Sequence, residues 1–185
     1  MLPTSNNSVY RMLIKAATLF FSSQGLVYII NAFIIPVGSS ASMGKSLFNL
    51  LPLKNLHSIS SIMPLPEDES EWKNMMIVFA TANGNVRKNT IEDFININNS
   101  GKIAMKLGPT DRLIGVAPCN DESDIMLASN KGKAIRFATK DLRVFNSRDS
   151  MGVRGIKLKE NDYVVSLSVL TDDEREFILA VTENG

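Results

Sequence analysis

Four stretches of the chain share one order of apolar and polar positions. From Met75 the run Met-Met-Ile-Val-Phe-Ala-Thr is rich in β-branched and aromatic residues; it ends near Asn83-Gly84, and a second run restarts at Val86. Two such runs joined by a dipeptide able to supply positive φ angles predict a hairpin. Arg87-Lys88 stand near the start of its second strand. After a polar connection, the alternation in Gly101-Lys102-Ile103-Ala104-Met105-Lys106-Leu107 predicts a further strand. The same order returns in residues 124–129, Asn130-Lys131-Gly132, residues 134–137 and the run Gly152-Val153-Arg154-Gly155-Ile156-Lys157-Leu158. Upstream it reads as residues 18–23, Gln24-Gly25, Val27-Tyr28 and residues 44–51, and a fourth copy begins at Phe177. The turn glycines Gly25, Gly84, Gly132 and Gly185 lie 59, 48 and 53 residues apart, a spacing that fits repeats of about four short strands. An all-β fold of about three four-stranded units and the start of a fourth is expected, with units at 18–66, 67–120, 121–171 and 172–185.

Residues 1–17 fall outside the pattern. Arg11 and Lys15 precede apolar residues as in a signal peptide, but Lys15 interrupts the run and no small-residue cleavage site follows. A membrane span over 16–37 would carry Ser22, Ser23, Gln24, Gly25 and Asn31 at its middle, so a hairpin fits that window better and no membrane partner is expected. Gly38 to Ser46 ends like a phosphate-binding loop, yet five residues separate Gly38 from Gly44 where that loop needs four, and Pro52 follows where a helix should run.

Charge modifies this picture. The net charge is only +1, which by itself argues against a strongly basic nucleic-acid binder. The acids, however, gather at 67–71, 121–124 and 172–176, each just before a repeat, where solvated loops are expected. Between them, residues 77–117 carry five Lys or Arg against three acids, and residues 125–169 carry nine against four. The one cysteine, Cys119, cannot form an internal disulfide, and the one histidine, His57, has no Cys or His set spaced for a metal. No catalytic residue, metal or cofactor is expected in this chain, and a cytoplasmic setting is the expected compartment. Trp72 is expected to pack a loop or cover a sheet edge. Arg154, between Gly152 and Gly155, is either open to a phosphate or a solvated arginine in a tight turn.

The runs Phe79 to Lys88, Gly101 to Leu107, Met126 to Gly132 and above all Gly152 to Leu158, with Asn49-Leu50-Leu51-Pro52-Leu53, resemble the C-terminal domain of DNA gyrase A over roughly residues 18–185. Its relative in topoisomerase IV is the alternative. The resemblance implies a β-pinwheel, a propeller-like ring of four-stranded blades, present here as a truncated, partial pinwheel. It also implies a basic rim that wraps double-stranded DNA without reading sequence, contributing to ATP-dependent negative supercoiling with the rest of gyrase A and with gyrase B. The DNA-binding residues carried over are Arg87, Lys88, Lys102 and Lys106 in one blade and Arg136, Lys140, Arg143, Arg148, Arg154 and Lys157 in the next. Departures from the family are equally plain. The basic box of the form Gln-Arg-Arg-Gly-Gly-Lys-Gly is missing, Tyr10, Tyr28 and Tyr163 lack the context of a catalytic tyrosine, and only Lys45 and Lys54 are basic between Leu19 and Leu65. A degenerate fragment with weak or no DNA binding is therefore the competing expectation.

Overall fold

The computed structural model describes residues 17–39, 41–53 and 58–171. Residues 1–16 of the predicted extension at 1–17, Lys54, His57 and the start of a fourth repeat at 172–185 lie outside the described residues, while Ala17 opens the first strand. Among the described residues, eleven strands form three antiparallel sheets. They are β1 (Ala17–Ser22), β2 (Leu26–Asn31), β3 (Ile59–Pro64), β4 (Met76–Thr81), β5 (Asn85–Thr90), β6 (Lys102–Ile103), β7 (Leu113–Cys119), β8 (Asp124–Ser129), β9 (Ala134–Ala138), β10 (Val153–Arg154) and β11 (Val164–Leu170). One four-residue helix, α1 (Glu69–Trp72), joins the first sheet to the second, with Asp68 accepting from the Ser70 N–H at its N-terminus.

The hairpins β1–β2, β4–β5 and β8–β9 form where the sequence places them. Their turns use one positive φ rather than two: Gly25, Gly84 and Gly132 lie at +74°, +84° and +76°, while the residue before each glycine does not cross to positive φ. In each turn the glycine N–H donates to the carbonyl of Ser22, Thr81 or Ser129. The hydroxyl of that same residue accepts from the N–H that follows the glycine, as in Leu26 to Ser22, Asn85 to Thr81 and Lys133 to Ser129. This is the longer hairpin loop in which one left-handed glycine ends the turn.

The strand order shows what the sequence repeats conceal. Sheet one runs β3-β1-β2-β6 and sheet two β10-β5-β4-β7, so the outermost strand of each comes from the repeat that follows. A unit such as 18–66 is therefore a sequence repeat but not a spatial one. The third sheet, β11-β8-β9, has three strands among the described residues rather than the four expected. Successive sheets touch along β3, β7 and β11 and splay apart at the edge that carries β6, β10 and β9.

Two-residue alternation explains the stacking. In β4, Ile77 and Phe79 join Leu19, Phe21, Ile91 and Phe94 between sheets one and two, whereas Val78 and Ala80 join Ile125, Leu127 and Val164 between sheets two and three. Both faces of β4 are thus buried, and its sequence is nearly continuously apolar. Phe21 meets Phe79 edge-on at 5.7 Å and Phe94 at 6.4 Å, which centres the first core on aromatic contacts. Trp72 belongs to this core; its indole N–H donates to the Pro66 carbonyl at 2.9 Å.

Candidate nucleic-acid interface

The splayed edge is the rim on which cations are expected, and the structure divides the ten candidates into three groups. Arg87 and Lys88 are not on it. Both lie buried in β5: residues 144–145 pair along the edge of the strand, Arg87 reaches residues 148–150 on the side of Phe79, and Lys88 reaches Asp121 and Thr139. Arg87 is 0% exposed, and its guanidinium donates to the carbonyls of Arg148 (2.8 Å), Ser150 (2.9 Å) and Ala104, over the Phe79 ring at 4.9 Å. Burial pulls its pKa down to about 10, with Asp93 opposing and Arg148 adding to the fall. Lys88 is tied to the Asp121 carboxylate at 2.9 Å and to the Thr139 carbonyl at 3.0 Å. Carried over from the resemblance as rim cations, both are instead buried and act as struts that hold the third repeat against the second.

Lys102 and Arg148 are half-buried and close enough to repel. Lys102 also donates to the Asn96 carbonyl at 2.9 Å, and its pKa is lowered first by burial and then by Arg148. The remaining six, Lys106, Arg136, Lys140, Arg143, Arg154 and Lys157, are exposed. Arg136 is neutralised by Asp124 at 2.5 Å, and Arg143 lies over the Phe145 ring at 4.4 Å. Among the described residues the ion pairs engage only Lys88 and Arg136.

Backbone geometry sets where the best-placed cations stand. The N–H groups of Ala104 and Met105 both donate to the Gly25 carbonyl at 2.8 and 3.1 Å, and those of Gly155 and Ile156 to the Gly84 carbonyl at 2.8 and 3.2 Å. Lys106 and Lys157 each follow directly, so they occupy equivalent points on successive sheets. Arg154, opposite Asn85 in β10, is exposed on the outermost strand of sheet two. It belongs to a two-residue strand rather than to a tight turn. A cation missed in the sequence also lies here: Lys133 donates to the Lys157 carbonyl at 2.9 Å. Its signal was the Lys131-Gly132-Lys133 turn, with a cation on each side of the glycine. In the first repeat, by contrast, the large apolar side chains of Phe33, Ile34 and Phe48 are exposed. No cluster of metal-ligating side chains occurs among the described residues, and none of their helices is long and apolar enough to cross a membrane.

A family model for the DNA gyrase C-terminal domain, a beta-propeller, matches residues 18–69, 76–120 and 123–171. The DNA gyrase A polypeptide of Rickettsia bellii is 45% identical over 169 residues, covering 89% of this chain and 19% of that protein. Its counterpart in Granulibacter bethesdensis is 50% identical over 154 residues, covering 82% and 16%. The chain therefore spans less than a fifth of the length of these relatives. Among solved structures, the C-terminal domain of DNA topoisomerase IV superposes with a TM-score of 0.76 at 23% identity, over 86% of this chain and 48% of that one. The DNA gyrase A C-terminal domain does so with a TM-score of 0.65 at 26% identity, over 83% and 47%. A repeat whose third strand completes the preceding sheet, a basic splayed edge and these matches along nearly the whole described chain agree: the chain belongs to the DNA gyrase C-terminal domain family.

Proposed function

We propose that this chain is a DNA-wrapping module that binds duplex through its rim without reading sequence. The observation carrying the reading is the placement of Lys106, Arg154 and Lys157, exposed and unpaired among the described residues at the edges of successive sheets. Cations repeated along a splayed edge suit a bent duplex: each phosphate contact releases counterions, and a row of contacts offsets the cost of bending. Lys102, Arg148 and Lys133 flank the three and extend the row. In the intact enzyme such a module would act with the rest of gyrase A and with gyrase B in ATP-dependent supercoiling, in the bacterial cytoplasm; the catalytic tyrosine belongs to the parent polypeptide, not to this chain.

A gel-shift titration on a duplex of about 150 base pairs, roughly one persistence length, tests this at several salt concentrations. With the six cations of this row each engaging a phosphate, log K should fall with log salt at a slope of about −5.4, and neutralising Lys106, Arg154 and Lys157 together should reduce its size by nearly 3. Binding indifferent to salt would overturn the reading. A second reading, a residual fold that binds DNA feebly, is favoured by the first repeat, where Lys45 is the only cation among described residues 17–72. Absence of a shift at low salt from protein with intact circular dichroism would establish that alternative.

A further inference from the structure

The stacked sheets have two ends, and the charges at the two ends differ in sign. At one end lie the hairpin turns and the crossings 104–112 and 155–163, which leave the splayed edge and run inward to β7 and β11. Each crossing starts on the turn glycine of one sheet, so closely that a Cβ on Gly25 or Gly84 would lie 2.4 or 2.8 Å from the docked carbonyl oxygen. It ends on the hairpin of the next sheet, where Asp111 accepts from the Asn83 N–H and Asp162 from the Lys131 N–H, both at 3.0 Å. The turns 82–84 and 130–133 and the two crossings together carry six Lys or Arg against three acids. Two of those acids, Asp111 and Asp162, are taken up by backbone N–H groups. At the opposite end, the segments 65–75, 91–95, 120–123 and 139–143 carry nine acids against three cations.

Four of the six cations gather at one point. The Lys131 ammonium donates to the Glu160 carbonyl at 3.0 Å and the Lys133 ammonium to the Lys157 carbonyl at 2.9 Å. The turn of sheet three is thereby laid over the crossing from sheet two, which brings Lys157 and Lys159. All four lysines are exposed, and the ion pairs among the described residues engage none of them. Glu160 is the one exposed acid in these two segments. Each carbonyl contact uses one of the three ammonium N–H groups and leaves two for a further acceptor. Exposure of the turn belongs to the fold itself: Asn83, in the place of Lys131 one sheet earlier, stays exposed with the next crossing docked beside it.

Four ammonium groups drawn from two sheets repel one another, and a polyanion laid across them is attracted by all four. The acids of the opposite end work the other way and repel a polyanion from Lys140 and Arg143. We propose that the four-lysine patch grips the phosphodiester backbone of duplex DNA, and that the duplex runs along the corner where the splayed edge meets the hairpin end. This placement rests on the DNA-binding reading above and extends its row. Lys131 and Lys159 join it, while Lys140 and Arg143 take no part.

Gel shifts at several salt concentrations, on a duplex of about 150 base pairs, test the placement with two double variants whose folding is verified by circular dichroism. Eight engaged cations give a log–log slope of about −7.2, against about −5.4 for the rim row alone. Lys131→Gln with Lys159→Gln should return the slope to about −5.4, so that between about 50 and 200 mM salt the wild type loses about twelvefold more affinity than this variant. Lys73→Gln with Lys140→Gln removes the same charge from the acidic end and should leave slope and affinity unchanged. A wild-type slope near −5.4 that Lys131→Gln with Lys159→Gln does not alter, or equal losses in both double variants, would overturn the placement and leave the rim reading standing. Binding indifferent to salt would overturn both.

Discussion

Replacing Arg87 by alanine separates a strut from a rim contact. In the structure the guanidinium makes three hydrogen bonds to backbone carbonyls of two different segments, Ala104 from the connection that completes sheet one and Arg148 with Ser150 from the loop that completes sheet two. Hydrogen bonds from a charged donor contribute about 1.5–3 kcal/mol each, so the three amount to roughly 4.5–9 kcal/mol before the cost of taking the guanidinium out of water, which is several kcal/mol. Truncation also leaves buried carbonyls unsatisfied and a void beside Phe79. A net loss of about 3–5 kcal/mol follows, a large part of the roughly 5–15 kcal/mol that holds a typical domain folded. With a urea m-value of about 2 kcal/mol/M, the unfolding midpoint should fall by roughly 1.5–2.5 M. Under conditions where Arg87→Ala remains folded, its DNA affinity should equal that of wild type, whereas Arg154→Ala should leave stability unchanged and weaken binding. A midpoint shift below about 0.3 M, accompanied by a loss of DNA affinity like that of Arg154→Ala, would place the Arg87 guanidinium in solvent and refute the reasoning.

Further outcomes follow from the same geometry. Burial raises the Cys119 thiol from 9.0 to about 11, with Lys88 opposing and Asp121 adding to the rise; because the unfolded thiol loses its proton first, this stabilisation is complete below pH 9 and lost as pH rises through about 11, by about 1.4 kcal/mol per unit. Alkylation by iodoacetamide should accelerate with a midpoint near that value in the folded protein, and a midpoint near pH 9 would contradict it. Gly25→Ala and Gly84→Ala should cost more than about 3 kcal/mol, the strain of positive φ plus displacement of the docked strand, while Gly132→Ala should cost only the strain, about 1–2 kcal/mol; equal shifts in thermal melts at all three positions would refute the docking account. Asp111→Ala removes the acceptor for the Asn83 and Arg112 N–H groups at 3.0 and 2.9 Å and should destabilise by about 1–3 kcal/mol in urea titrations, with no change in DNA affinity.

Hairpins were legible because their information is local: a two-residue alternation, a turn glycine and the Ser or Thr ahead of it. The strand exchange was not, because β6 and β10 contribute only two residues each to their sheets, too few for any period. What marks them is the glycine before and the small residue after, whose purpose appears only when the distant turn glycine stands beside them. Arg87 and Lys88 illustrate the other failure. A cation beside a hairpin turn suggests solvent, yet what decides their burial is the segment 139–150, a whole repeat away. Lys106 and Lys157 come from the family resemblance, and which way they face is settled by structure alone: both are exposed while their neighbours Leu107 and Leu158 are half-buried.

The forward donation of strands has a consequence for how the chain is made. On the ribosome, β1, β2 and β3 can pair as soon as Pro64 has emerged, but sheet one keeps an open edge until Ile103 follows, 39 residues later. At about 5–20 residues per second that is a wait of roughly 2–8 s with an unpaired β2 exposed to any other nascent strand. Sheet two then waits in the same way for Val153–Arg154. Maturation of this fold thus runs like a zip fastener behind the moving ribosome, each tooth held open by synthesis of the next, and the pace of translation sets how long each edge is at risk.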